Sequence, residues 1–353
     1  MIYKTPKSQK GLFDQSEKLN ELEKYRDPLQ RISNVIDFEL FRKELEFLTE
    51  VIIRDEQKGG RPAYDVVLMF KVLIIQHLYN LSDAETEFQI FDRVSFTRFL
   101  GLGLNDDVPD EKTIWLFKNR LKEDGIKRLF NLLNNELTNA GFILHKGKIV
   151  DATIVEVPRQ RNTREENAQL KEGRIPEEWN TNENKLRQKD TDAQWVTHNG
   201  KTSFGYKNHI KADTKSKLIV SYDVTPASVH DSQALDNLLD DETDKNQTLH
   251  GDSAYRSSEI EADLRNRNIT SRIHEKGYRG APMTKAVKKR NTAKSRIRAR
   301  VEHIFAAMEK SMGGIFATTR SLERTSVKLG LVNITYNLVR LAQLGGSLKF
   351  STA

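Results

Sequence analysis

The stretch KGKIVDATIVEV, residues 146–157, decides how the rest of the chain is read. Ile149, Val150, Ile154 and Val155 make it apolar and β-branched, which predicts a buried strand. Asp151 interrupts that run. A carboxylate inside an apolar strand is costly unless its charge is compensated. Backbone donors or a single Arg would do this, and a metal ion is the alternative. Two later stretches bear on the choice. LHGDSAYRS puts Asp252 at the end of a short strand, and SRIRARVEHIFAAMEK puts Glu302 in a helical run. Three carboxylates drawn from two strands and a helix are a donor set for a divalent cation.

Working outward, 353 residues suffice for two domains, or one domain with an appendage. A hydrophobic content of 37% against 30% charged fits a soluble globular protein. No apolar run approaches the roughly 18 residues of a membrane span. MIYKTPKSQKGLFDQSEK at the start lacks the apolar core of a secretory signal, so no membrane association and a cytoplasmic location are expected. Zero cysteines exclude disulfides, thiolate nucleophiles and Cys-based zinc sites. The net charge of +7 is unevenly spread. Residues 271–300 hold eleven Lys or Arg against one acid, Glu275, so the rest of the chain is net acidic. This basic stretch leads straight into Glu302. A polyanion lying across a metal site accounts for that pairing, and nucleic acid is the obvious one.

Upstream, residues 1–35 are weakly patterned and read as a mobile arm or a short helix. Apolar residues recur at helical spacing from Asp37 to Arg54, until Gly59, Gly60 and Pro62 break the pattern. Asp65 is placed to cap VVLMFKVLIIQHLYN, a helix apolar nearly all round and hence central. Ser82 and Glu85 form a capping-box signature for the next. Helices are also expected at VSFTRFLGL, TIWLFKNRL and NLLNNELTN, the last stopped by Gly141. Lys118, Arg120 and Lys122 are candidates for DNA contact, or ordinary residues of an exposed face. Residues 1–140 thus read as an all-helical domain for end binding or dimerisation, and 141–353 as the catalytic one. Downstream of Asp151, residues 158–200 are polar and read as an exposed insertion, disordered when alone. TSFGYKNHIKAD and KLIVSYDVTP predict a hairpin. HDSQALDNLLDD reads as a helix, QTLHGD as a strand, SSEIEADLRNRN as a helix and ITSRIHE as a strand, before the Glu302 helix and a last amphipathic one. Strand-strand-strand-helix-strand-helix-strand-helix is the order of a ribonuclease H-like fold, a mixed α/β sheet flanked by helices.

In that order the strands of Asp151 and Asp252 are neighbours. Two Asp and one Glu without Cys suit magnesium, with manganese able to substitute, rather than zinc. Such ions serve in-line displacement at a phosphodiester. From about residue 38 to 345 the chain resembles the DDE transposases of bacterial insertion sequences, in particular the insertion-sequence-five family. The matching stretches are GRPAYDVVLMFKVLIIQHLYNLSDAE, DRVSFTRFLGL, VPDEKTIWLF, GKIVDATIVE, FGYKNHIKAD, TPASVHDS, HGDSAYRS with its Asp-x-x-Tyr pattern, and RIRARVEHIF. The resemblance implies Asp151, Asp252 and Glu302 as catalytic triad and metal ligands. It also implies cleavage and strand transfer at terminal inverted repeats, with target DNA as second substrate and a homodimer on DNA. In related transposases a Tyr often lies seven residues before the Glu and a Lys seven after. Here Ser295 and Glu309 stand there, so Arg298 and Lys310 are the candidates to share their phosphate-contacting role.

Arg298, Lys288, Lys289, Arg290, Lys294, Arg296, Lys310 and Tyr255 are the expected DNA contacts. Arg298 is also placed to orient Glu302 one turn on. His209, His230, His274 and His303 lack a short-spaced ligand pair and are expected to pack or bond locally. Asp213 and Asp223 read as ordinary exposed acids, and Asp231 as a helix N-cap. Trp195 and Phe204 are expected in the core. The rivals to a transposase are a nuclease of the same fold and a DNA-binding protein without catalysis.

Overall fold

The computed structural model describes residues 21–22, 24–25, 27–49, 62–103, 105–198, 200–277, 280 and 282–348. The arm at 1–20, the extension of the second helix through 50–54, Gly59, Gly60 and Arg279 lie outside them.

The first part is helical, and local chemistry sets its boundaries. Asp27 caps α1 (Pro28–Val35), accepting from Leu29 N at 3.0 Å with Pro28 at the first position. A 3-10 turn, Phe38–Phe41, leads into α2 (Arg42–Thr49). Asp65 caps α3 (Val66–Leu78) through Val67 N and Leu68 N, and almost every α3 side chain is buried. Ser82 and Glu85 close the expected capping box on α4 (Asp83–Asp92). α5 (Val94–Leu100) stops at Gly101 in the left-handed region. The two helices expected next are one long element, α6 (Glu111–Asn139), broken at Lys122 with φ 51° and ψ 177°. Gly141, φ 76°, follows its end.

The second part is a six-stranded mixed sheet: β1 (Lys148–Glu156), β2 (Gln194–His198), β3 (Lys201–Asp213), β4 (Ile219–Pro226), β5 (Thr248–His250) and β6 (Thr270–Ser271). β1 runs antiparallel to β3 from Lys148↔Asp213 to Glu156↔Gly205, and parallel to β5 on its other side. β2 and β4 share the far edge of β3, and β6 extends the sheet beyond β5. The hairpin β3–β4 stands where the alternating pattern put it.

Residues 158–200 depart from expectation. They fold into α7 (Arg164–Lys171), α8 (Glu177–Asn180), α9 (Glu183–Gln188) and β2. Thr163 and Glu166 cap α7, and Trp179 is fully buried with its indole N–H on Glu166 at 2.7 Å. One aromatic anchor and several caps compensate for a sparse apolar content. HDSQALDNLLDD is likewise less helical than its pattern: only a 3-10 turn, Asp231–Ala234, and the four residues of α10 (Leu235–Leu238) form. Asp213 is buried at the β3–β4 turn, where its carboxylate accepts from Lys215 N, Ser216 N and the Ser216 hydroxyl.

α11 (Ser258–Asn266) covers a small apolar cluster of Val150, Leu249, Tyr255 and Leu264. α12 (Lys285–Ser311) crosses β1, and α13 (Leu322–Leu344) packs on α6, α1, α3 and β4. A continuous hydrophobic core therefore joins the helical part to the sheet. Buried amides seat α13: Asn337 brackets Ile219 through its N–H (2.9 Å) and its carbonyl (2.8 Å), and Asn333 bonds Asn208. Gly330 lets α13 approach, since a Cβ there would meet Ile126 Cγ2 and Tyr222 Oη. Gly330→Ala is expected to destabilise the protein by about 1–3 kcal/mol through overpacking. A denaturant midpoint equal to wild type would refute this close fit.

Candidate active site

Asp151 lies mid-strand in β1, opposite Ile210 of β3. Its Oδ1 accepts from Ala152 N at 2.9 Å and its Oδ2 from Arg298 Nη1 at 3.2 Å. Arg298 reaches it from α12, and its Nη2 lies 3.6 Å from Glu302 Oε1 one turn along. One guanidinium thus bridges two of the three acids. Its Nε is buried without a hydrogen-bond partner. β5 delivers the remaining acid: parallel to β1, it ends at His250, and Asp252 opens the 3-10 turn Ser253–Tyr255 with Oδ1 on Ala254 N at 2.7 Å. Burial pushes the Asp151 carboxyl up to about 6, and the fields of Asp252 and Asp231 add to it against Ala152 N–H and Arg298. An acid raised in this way, beside others in a partly open site, is a mark of function.

The sequence reading undervalued Asp231. The cap of its turn is His230, whose side chain accepts from Ser232 N. Asp231 is instead held by Lys207 Nζ at 2.7 Å, and that ammonium also donates to Val229 O. The Asp231 turn packs on the Asp252 turn. A pair drawn from two elements 24 residues apart leaves no local signature. Tyr255 also needs correcting. It is fully buried, so it forms a wall of the acid cluster and is not a DNA contact. Its hydroxyl has no hydrogen-bond partner, and burial with the fields of Asp231, Asp151 and Asp252 holds the phenol well above its usual range.

Glu302 is different in kind. Its side chain is 63% exposed, against 17% for Asp151, and it joins the site through Arg298. The acids thus share one region without forming a closed shell, and among the described residues no three His, Asp or Glu converge on one point. The donor chemistry nevertheless fits a hard divalent ion: carboxylate oxygens, negative charge in excess of its one guanidinium, and an unpartnered Tyr hydroxyl beside them.

The basic stretch divides in two. Lys288, Lys289, Arg296 and Lys310 are exposed along α12. Arg290 chelates Glu275 at 3.1 and 2.8 Å, and Lys294 bonds Ile273 O at 2.8 Å and Glu275 at 3.3 Å. These two fasten α12 to the chain after β6, so each already spends charge on Glu275. Ser295 faces His274 Nε2 at 3.3 Å. His209 bonds Thr225, and Trp195 packs on Phe204 at 5.0 Å between ring centroids.

A buried acid beside a second one, with an Arg-linked third and an exposed basic helix, suits an enzyme acting on phosphate esters. The chain belongs to the family described as "Transposase DDE domain", whose model matches residues 144–338; the model "Transposase domain (DUF772)" matches residues 17–120. It is thus a DDE-type DNA transposase, a metal-dependent enzyme. The fold is also similar to a piggyBac transposase synaptic complex with hairpin DNA, at 11% identity and a TM-score of 0.44, over 94% of this chain and 78% of that one. Among the described residues no single helix is long and apolar enough to cross a membrane.

The raised Asp151 carboxyl has a stability consequence. Its neutral form favours the folded state at low pH, and this contribution is lost as pH rises from about 4 through 6. Relative to Asp151→Asn, wild type should lose up to about 3 kcal/mol across that interval. Denaturant unfolding at a series of pH values checks it, and a constant difference would contradict the raised carboxyl.

Proposed function

We propose that this transposase binds the terminal inverted repeats of its own element, cuts strands there by hydrolysis, and joins the freed 3′ hydroxyl to target DNA. The observation carrying this reading is the buried Asp151 carboxylate in β1, flanked by Asp252 at the end of parallel β5 and linked by Arg298 to Glu302. Asp151 and Asp252 would hold the ion, magnesium or manganese in its stead, with Glu302 completing the set. When bound, it supplies Lewis-acid stabilisation of charge on the attacking and leaving oxygens. Burial around Asp151 excludes water and strengthens every charge interaction there. Arg298 orients Asp151 through its Nη1 and ties it to Glu302 through its Nη2. The Tyr255 hydroxyl is the nearby donor that can fix a carboxylate's orientation. Glu302, on the solvent side of α12, has the freedom to swing toward the other two.

The exposed Lys288, Lys289, Arg296 and Lys310 would hold DNA backbone. Residues 1–140 would recognise ends or pair two copies, making a homodimer on DNA, with 141–353 as catalytic domain. The sheet order β4-β3-β1-β5-β6, with its flanking helices, supports the ribonuclease H-like form of the sheet. The motif series supports the insertion-sequence-five branch. Work on DNA agrees with a cytoplasmic place at the nucleoid.

Incubation with the DNA flanking its gene, in magnesium, manganese or chelator, tests this. Discrete cuts at the element boundary and joined products are expected, both lost with chelator. Asp151→Asn, Asp252→Asn and Glu302→Gln should each lower cutting by at least roughly a hundredfold while DNA affinity stays near wild type. Binding without metal-dependent cutting would sink the catalytic reading, and cutting without joining would reduce it to a nuclease.

A further inference from the structure

A cavity of about 400 Å³ opens where α3, α6 and α13 meet, and it shares no residue with the acid cluster. Cations line it: Lys118 and Lys122 from α6, Arg324 and Lys328 from α13, against Asp83 and Glu323. Lys118 is already matched by Asp83 at 2.6 Å. Lys328 makes no ion pair among the described residues, and Asp83 is the acid whose field reaches it. It donates to the Asn80 side-chain oxygen at 3.1 Å and to Phe316 O at 2.7 Å, and burial lowers its ammonium to about 8. Lys122 and Arg324 make no ion pair among the described residues. The cavity therefore has unspent positive charge for an anion.

Its rim carries an aromatic. Trp115 is 44% exposed, whereas Trp179 is fully buried and Trp195 packs on Phe204. An indole left in water beside cations is the combination that binds a base and its phosphate. The backbone at this wall is also strained. Lys122 holds φ 51° and ψ 177°, a region unfavourable for any residue but Gly, and such strain clusters at ligand sites. A volume of this size falls within the range of small-ligand pockets and suits one nucleotide.

The cavity wall is joined to the strand of Asp151. The segment between α12 and α13 lends Gly313 O to the Asn80 side chain at 3.0 Å and donates Ala317 N to Glu156 O, at the end of β1, at 3.1 Å. Glu156 is five residues along β1 from Asp151, roughly 17 Å in an extended strand. The segment that walls the cavity is therefore fastened to the same strand that carries Asp151.

We infer that the cavity receives a single unpaired nucleotide, its base stacked on Trp115 and its phosphate held by Lys328 with Lys122 and Arg324. The inference rests on the DNA reading above and adds a second binding site to it. The ligand chemistry is a nucleoside monophosphate, either as one residue of a strand or free in solution.

The test uses the full chain carrying Asp151→Asn, so that binding is read without cutting. The probes are a duplex of the element end with one extra, unpaired 2-aminopurine, the same duplex fully paired, and dAMP alone. The bulged duplex should bind roughly tenfold tighter than the paired one, with 2-aminopurine fluorescence quenched by stacking. Trp115→Ala and Lys328→Gln should each remove that preference, Trp115→Phe should keep it, and affinity for the paired duplex should not change. Lys328 is partly buried, so Trp115→Ala and Lys122→Ala, both at exposed positions, carry the test if Lys328→Gln does not fold. Competition by dAMP would identify the free nucleotide as a ligand. Preference without competition would identify a nucleotide held within a strand. Equal binding of bulged and paired DNA, or a preference that survives Trp115→Ala and Lys122→Ala, overturns the inference. Failure of the paired duplex to bind at all would instead overturn the DNA reading itself.

Discussion

A carboxylate desolvated in the middle of an apolar strand is the constraint on which the site depends. β1 buries its neighbours against both faces of the sheet, so Asp151 cannot retreat to solvent. Beyond the Ala152 N–H, its compensating charge is a guanidinium from 147 residues further on. That requirement fixes where α12 crosses β1, and with it the height at which Glu302 stands. It also makes the second acid expensive: Asp252 and Asp231 both raise the cost of charging Asp151. A structure that keeps three such groups near one another, with Arg298 and Lys207 as their ion-pair partners among the described residues, is arranged for a cation.

The basic run divides its labour on the same helix. Side chains facing Glu275 and Ile273 tie α12 down, while others point to solvent. A count of charge along the chain cannot distinguish the two, because a salt bridge needs a partner from another element. This is why Arg290 and Lys294 read in sequence as equals of Lys288 and Lys289.

The sequence was informative where a signal is local or periodic. Asp65 and the Ser82–Glu85 box lie within one turn of what they cap, and the β3–β4 hairpin carries its own alternation. Asp151 and Glu302 were legible as candidates because each sits in an element with a pattern of its own, and Asp252 because it follows a short apolar strand within the HGDSAYRS motif. The order in residues 158–200 was hidden, since it hangs on one buried Trp and a few caps rather than on an apolar stripe. Asp213 read as an exposed turn acid but is buried by the strands around it, and Asp231 owes its place to Lys207 across a loop. Tyr255 could be placed near the acids from its spacing to Asp252, but its orphaned hydroxyl could not.

α13 has one further implication, for how the molecule comes into being. It fills the space between α1, α3, α6 and β4, yet it follows all of them in the chain. Those earlier elements pack on one another, but each also leaves an apolar face that only α13 covers. Only when residues up to about 344 have emerged can the contacts between distant parts of the chain form together. Until then the large core that joins the helical part to the sheet is incomplete. The last long helix of the described residues is thus the one that closes the joint between the helical part and the sheet.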